Sequence, residues 1–377
     1  MSRSAMSERG ERMTDTARHA RDSDTARHTR DSDTARHTRD SGLRDGTTVV
    51  AGVDLGDVAL AATVRDGLDR VEQLLVDELC DGAEFLQEAA LHLAKAGGKR
   101  FRPLFTVLTG QLGPRPTDPA LITAGAVVEL VHLATLYHDD VMDEASMRRG
   151  APSVNSRWGN NIAILAGDYL FAHASRLTST LGPDAVRIIA ETFAELVTGQ
   201  MRETVGARES QDPVEHYLRV VWEKTGSLIA AAGRFGGTFS GAGDEQVERL
   251  SRLGDAVGTA FQISDDIIDI SSAAEQSGKT PGTDLREGVH TLPVLYALRQ
   301  TGADGDRLRE LLARPLAIDG EVEEALDLLA GSRGMALAKQ KLQGYADLAQ
   351  AELSALPAGP ANDALARLVH YTIERVS

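Results

Sequence analysis

The sequence predicts an all-α fold, and three observations carry that expectation. Aromatic residues make up only 4% of the 377 residues while Ala and Leu are frequent, a balance that favours helix over sheet. Apolar residues recur at three- and four-residue steps, as at Val64, Leu68, Val71, Leu74 and Leu75. Few runs alternate apolar with polar residues, so little in the chain competes as strand.

Residues 1–45 stand apart from this pattern. A nine-residue unit close to DTARHTRDS occurs three times, at Asp15–Ser23, Asp24–Ser32 and Asp33–Ser41. The segment holds ten Arg and nine acidic residues and almost no large apolar side chain. It cannot bury enough surface to offset the entropy of ordering, so a disordered tail is expected, followed by a single helical domain over 46–377. Solenoid repeats carry apolar faces that these units lack.

Beyond the tail, helical periodicity begins at about Asp54. Thr117-Asp118-Pro119 reads as a helix start, a capping side chain followed by Pro in the first turn. The helix it opens should run through Leu121, Val128, Leu133 and Leu136 into Asp139. Further helices are expected over 160–181, 184–206, 213–240, 244–272, 291–300, 305–314, 320–331, 333–354 and 361–375, with Gly, Pro or Asp at the breaks.

Composition removes several function classes. A net charge of −16 argues against a nucleic-acid partner, which would call for a basic face. The single cysteine, Cys80, allows no intrachain disulfide. The most apolar run, Leu121 to Tyr137, is interrupted by Glu129 and His132, so no transmembrane segment is expected. No hydrophobic segment follows the N-terminal charges, and the expectation is a cytoplasmic protein.

Two acidic clusters carry the chemistry. Asp139, Asp140 and Asp143 form DDVMD; Asp265, Asp266 and Asp269 form DDIID. On a helix, positions i and i+4 share a face, so each cluster aims at least two carboxylates the same way. That arrangement is repulsive unless a cation sits between them, and carboxylate oxygens are the hard ligands that Mg²⁺ takes, usually with water and phosphate. One DDxxD arises by chance in roughly a fifth of chains so rich in Asp, whereas two are much rarer. Each also ends an apolar helical run.

Basic residues complement the acids. Gly97-Gly98-Lys99-Arg100-Phe101-Arg102-Pro103 places three cations in four positions behind two glycines, which let a backbone approach a ligand closely. Arg148-Arg149 follows the first cluster by five residues, and His132 lies two helical turns before Asp139 on the same face. Taken singly, these read equally well as solvated cations and a satisfied core histidine.

The runs GGKRFRP, HLATLYHDDVMDEASMRRG, QISDDIID and GKTPGTDLREGVHTLP, in this order and spacing, resemble the trans-isoprenyl diphosphate synthase family over roughly residues 60–375. The resemblance implies an isoprenoid-synthase-type helical bundle with a deep central cavity. It implies three Mg²⁺ ions, held by Asp139 and Asp143 on one side and Asp265, Asp266 and Asp269 on the other. Lys99, Arg102, His132 and Arg149 match positions that bind isopentenyl diphosphate. Arg148, Lys224, Thr225, Gln262 and Lys279 match positions facing the allylic diphosphate. Val289 is a departure, standing where many members of the family have Lys. A homodimer is also implied, with apolar helix faces paired about a two-fold axis.

The expected reaction is ionisation of an allylic diphosphate and its extension by isopentenyl diphosphate. A terpene cyclase needs no second diphosphate site, and a regulatory subunit need not keep a metal site, so the four motifs together favour the synthase. Val131, Ala134 and Thr135, on the helix before Asp139, should border the growing tail. None is aromatic, so a long product of roughly seven to ten isoprene units (about C35–C50) is expected, suited to a respiratory quinone. A geranylgeranyl or farnesyl product is the shorter alternative. Loose association with a membrane would serve release of so apolar a product.

Overall fold

A computed structural model describes residues 47–80, 84–271 and 281–376. The expected tail over 1–45 and Lys279 lie outside the described residues. Two two-residue hairpins, β1 (Val49–Val50) with β2 (Val53–Asp54) and β3 (Met147–Arg148) with β4 (Ala151–Pro152), are the only strands among the described residues. The rest is helix: α1 (Val58–Leu79), α2 (Glu84–Lys95), α3 (Phe101–Gly110), α4 (Pro119–Met142), α5 (Val154–Trp158), α6 (Asn160–Thr180), α7 (Pro183–Val205), α8 (Pro213–Val221), α9 (Ser227–Ser240) and α10 (Asp244–Ser271). Six more follow: α11 (Thr283–Glu287), α12 (Leu292–Ala297), α13 (Ala303–Leu311), α14 (Asp319–Ala330), α15 (Arg333–Ser354) and α16 (Pro360–Glu374).

α4 begins where the sequence says it should. The Asp118 side chain accepts from the Ala120 amide at 3.0 Å, and Pro119 occupies the first turn. Its buried residues, among them Leu121, Val127, Val128, Leu130, Val131 and Leu133, lie on all sides, which marks a central helix wrapped by neighbours. α1, α3, α6 and α9 pack around it. α4 is also the one helix among the described residues long and apolar enough to cross a membrane, yet 67% of that window is buried inside the fold.

Small residues set the closest approaches. A Cβ on Gly236 would stand 2.0 Å from Thr109 Oγ1, and one on Gly233 or Gly254 would strike the backbone of the facing helix at about 2.4–2.5 Å. Glycine therefore lets α3, α9 and α10 pack backbone against backbone.

Two hydrophobic cores result. The larger joins α1–α4, α6, α7, α9 and the first half of α10, through Leu250, Leu253, Ala256 and Val257. The smaller gathers Ala260, Ile263, Ile267 and Ile270 from the second half of α10 against Leu285, Leu292, Leu308 and Leu342.

One expected element differs. The segment 213–240 reads as a single helix, but Trp222–Gly226 forms a π-helical turn between α8 and α9. Buried Glu223 lies in that turn, gripped by Arg202 Nε at 2.8 Å and Arg219 Nε at 2.7 Å.

Candidate active site

The first acidic cluster closes α4. Asp139 and Asp143 are one turn apart, joined by the Asp143 amide donating to the Asp139 carbonyl at 2.8 Å. Burial pushes the Asp139 carboxyl up to about 6; Lys224 opposes this, and the nearby Asp143 and Glu203 add to it. Asp140 points elsewhere. It is 0% exposed, accepts from Arg148 Nε at 2.6 Å, and lends its carbonyl to Asn155 Nδ2 at 3.0 Å. The middle aspartate thus ties α4 to the β3–β4 hairpin and α5.

The second cluster lies on α10 and divides in the same way. Asp265, partly exposed, accepts from Arg375 Nη2 at 2.5 Å. Asp269 receives the amides of Thr283 and Asp284 at 3.3 and 3.2 Å, which seats the start of α11. Asp266 is only 5% exposed, and both of its oxygens are bonded within the protein, Oδ2 to the Tyr217 hydroxyl and Oδ1 to Gln262 Nε2 at 2.9 Å. Burial pushes its carboxyl up to about 8, with the Tyr217 hydrogen bond opposing. Asp266, expected as a ligand beside Asp265 and Asp269, thus faces the protein here, whereas Asp265 and Asp269 are partly exposed.

The two clusters look towards each other. Glu287, at the end of α11, is raised by burial first and then by Asp143 and Asp269, one carboxylate from each cluster. Lys224 projects from the π-helical turn into this acidic region, pairing with Glu203. Its neighbour Thr225 donates to Gln262 Oε1 at 3.3 Å. Arg148, matched to the allylic side, is held by Asp140 and keeps part of its guanidinium open.

A separate cationic pocket is built from α3, α4 and the β3–β4 hairpin. The hairpin has a two-residue turn, Arg149-Gly150, with φ of 54° and 75°. Positive φ at both positions is the turn that matches strand twist, and the two arginines take different partners, Arg148 the Asp140 carboxylate and Arg149 the Gly97 carbonyl. Arg149 Nη1 reaches the carbonyls of Gly97 at 2.5 Å and Leu93 at 3.3 Å. Arg102 lies beside it, its Nε buried with no protein partner. Burial lowers Arg102 to about 10; Glu129 opposes this and Arg149 reinforces it. His132 is held well below its usual value by burial and by Arg102, Arg149, Arg100 and Arg148, so its imidazole stays neutral. Lys99 is exposed at the rim.

Arg100, the third cation of that run, has an internal role. It binds Glu72 at 2.8 and 2.9 Å, Glu129 at 2.8 Å and the Ala94 carbonyl at 2.6 Å. Glu129, 1% exposed, is the residue that sequence reasoning misses: it serves Arg100 and, at 3.8 Å, Arg149. Its signal is its setting, since an acid in the middle of an apolar central helix needs a buried partner.

Between the helices runs a cleft of about 440 Å³, bordered by Thr135, Asp139, Ile164, Phe193, Gln200 and Lys224 among others. Of the three residues expected to border the tail, Thr135 lines this cleft, whereas Val131 and Ala134 are closed into the core at 0% and 1% exposure. An aromatic wall does exist, supplied by α7: Phe193 stacks on Phe171 with ring centroids 4.1 Å apart. A second hollow of about 290 Å³ borders Arg202, Asp212, His216 and Arg219, but both arginines are already engaged by the buried Glu223.

Residues 83–329 match the model of the polyprenyl synthetase family. The chain belongs to this family. Among curated polyprenyl synthetases, it is 66% identical to nonaprenyl diphosphate synthase of Mycobacterium tuberculosis over 333 residues, 88% of this chain and 99% of the relative. It is 51% identical to a dimethylallyltranstransferase of the same organism, covering 86% and 99%. Among solved structures, a geranylgeranyl pyrophosphate synthase from Corynebacterium glutamicum, complexed with calcium and isoprenyl diphosphate, superposes with a TM-score of 0.78 at 52% identity, covering 85% of this chain and 98% of that one. A decaprenyl diphosphate synthase from Rhodobacter capsulatus gives a TM-score of 0.76 at 33% identity, covering 85% and 99%.

The donors of this polyprenyl synthetase suit a hard divalent cation. Among the described residues no three acidic or histidine side chains converge into a ready cage. Paired carboxylates on facing walls fit an ion of the Mg²⁺ kind, which is bound through one or two carboxylates plus substrate phosphate.

Proposed function

We propose that this chain is a trans-polyprenyl diphosphate synthase that extends an allylic diphosphate with isopentenyl diphosphate to about C35–C50, as a quinone side chain requires. The observation that carries this reading is the presence of two separate places for a diphosphate: facing acidic walls beside Lys224, and the cationic pocket of Arg102, His132 and Arg149. Relatives named for nonaprenyl and octaprenyl products support the long chain.

Asp139, Asp143, Asp265 and Asp269 would hold Mg²⁺, three ions in all. The ions would neutralise the charge that grows on the leaving diphosphate. Lys224 and Arg148 add fixed positive charge to the same side as the allylic C–O bond breaks. Arg102, Arg149, Lys99 and His132 hold the isopentenyl diphosphate so that its double bond faces the allylic carbon, an effect of position. A C–C bond forms, and the departed diphosphate takes the proton whose loss restores the alkene. The apolar cleft keeps water from the cation.

Asp139→Ala and Asp265→Ala test the assignment. Each should abolish turnover and leave helical content unchanged, and near-normal activity in either would sink it. Product mass after incubation with isopentenyl and farnesyl diphosphates tests chain length. Phe193, which borders the cleft with Phe171 of α6 stacked on it, favours a second reading, a shorter C15–C20 product, which the same measurement separates.

A homodimer is supported by exposed apolar residues on adjacent helices, Leu165 on α6 and Val205 on α7, beside Ile164, Val197 and Met201 at the border of the cleft. Light scattering at assay concentration tests it. A cytoplasmic location with loose membrane contact during release agrees with α4 being mostly buried. The site residues placed above all lie between Leu93 and Arg375, so deleting residues 1–45 should leave activity and Tm unchanged.

A further inference from the structure

We infer that Tyr217 is a positioning residue for the ionising side of the site: through Asp266 it fixes Gln262 and Thr225, and with them the π-helical turn that presents Lys224. The inference rests on the synthase reading above and adds a residue to it.

The connections run in one chain. The Tyr217 hydroxyl donates to Asp266 Oδ2. Asp266 Oδ1 accepts from Gln262 Nε2 at 2.9 Å, and Gln262 Oε1 accepts from Thr225 Oγ1 at 3.3 Å. Tyr217 lies before the Trp222–Gly226 turn and Thr225 within it, so one buried carboxylate grips the same helical stretch at two points. A π-helical turn carries an extra residue and poorer hydrogen bonding, so it persists where surrounding contacts fix it.

The opposite face of the turn is fixed too. Glu223 is held by Arg202 and Arg219, and a Cβ on Gly199 would come 2.7 Å from Glu223 Cβ, so α7 lies directly against it. Lys224 sits between these two anchors and is aimed at Glu203 and Asp139. If the Tyr217 link is lost, Asp266 keeps only Gln262, and the α10 side of the turn is left with the longer Thr225–Gln262 bond and the Trp222 Nε1 bond to Asp255.

The test is Tyr217→Phe, which removes one oxygen and keeps the ring. kcat should fall about ten-fold, the scale of leaving one buried hydrogen-bonding group without its partner. KM for isopentenyl diphosphate should stay within about two-fold, since that pocket shares no element with α8. Tyr217→Phe combined with Thr225→Val should lose little more than the worse single variant, because both cut one network. Hydrogen exchange supplies a readout independent of turnover: the amides of residues 222–226 should exchange faster in Tyr217→Phe while those of α4 do not. Wild-type kcat, additive losses or unchanged exchange over 222–226 would each overturn the inference. A wild-type protein that makes no prenyl product would sink the synthase reading instead, with the exchange result still deciding the role of Tyr217 in the turn.

Discussion

Gly98 lies directly against the guanidinium of Arg149: a Cβ on Gly98 would stand 2.9 Å from Arg149 Cζ. Its φ of 139° is also one that side chains resist. Gly98→Ala should therefore displace Arg149 from the cationic pocket. KM for isopentenyl diphosphate should rise by about an order of magnitude, roughly one charged hydrogen bond, with a smaller change in kcat. Steady-state kinetics at saturating allylic diphosphate check this, and an unchanged KM would remove Arg149 from the binding role.

Glu129→Gln should cost stability before it costs chemistry. The carboxylate is the shared counter-charge of Arg100 and Arg149, and removing one member of a buried ion group typically costs about 3–5 kcal/mol. Urea denaturation should show a lower midpoint with the slope preserved. Adding isopentenyl diphosphate should narrow the gap, because its negative charge enters the same cluster.

Asp255 predicts a pH effect of definite sign. Burial raises its carboxyl to about 6, against the opposing Trp222 Nε1 bond at 2.9 Å. A raised carboxyl favours the proton in the folded state, so the stability it contributes is full below about pH 4 and is lost as pH rises through about 6. Asp255→Asn keeps an acceptor for Trp222 and removes the charge. Its Tm should exceed wild type at about pH 7.5 and match it near about pH 4. Equal Tm at both values would show that Asp255 does not titrate in this window.

Chain length should respond to the cleft wall. Thr135→Phe places a ring directly in the cleft and should shift the product to about three or four isoprene units while catalysis continues. Ala134→Phe should shift it in the same direction but with a lower Tm, since Ala134 is packed and an overfilled core costs about 1–3 kcal/mol. Product mass and a melting curve for each variant distinguish the two positions. Unchanged products in both would route the tail elsewhere.

Signals carried by neighbouring residues are readable in this sequence. Asp118 and Pro119 mark the start of α4 because a cap and its helix are adjacent in the chain. The i, i+4 spacing fixes which aspartates share a face, and the four motifs identify the chemistry. What depends on distant partners is not readable. The π-helical turn interrupts a sequence that looks like continuous helix, because Glu223 answers to Arg202 in another helix. Spacing does not say that Asp140 and Asp266 turn inward; that needs Arg148 and Tyr217 in place. Arg375 lies 110 residues from Asp265, too far for any local pattern to pair them. Arg149-Gly150 hides its tight turn because arginine seldom takes a positive φ.

The two hydrophobic cores give the enzyme a mechanical character. The first acidic wall is rooted in the larger core through α4, and the second in the smaller core through the far half of α10. α10 passes from one to the other between Val257 and Ala260, so it works as a shared axle. The spacing of the two acidic walls follows from how the two cores are packed along that axle within one compact unit. At this seam Gly258 meets the Gly226 backbone, where an added Cβ would stand 2.9 Å away. A bulkier residue there would act as a shim, wedging α10 away from the π-helical turn that carries Lys224.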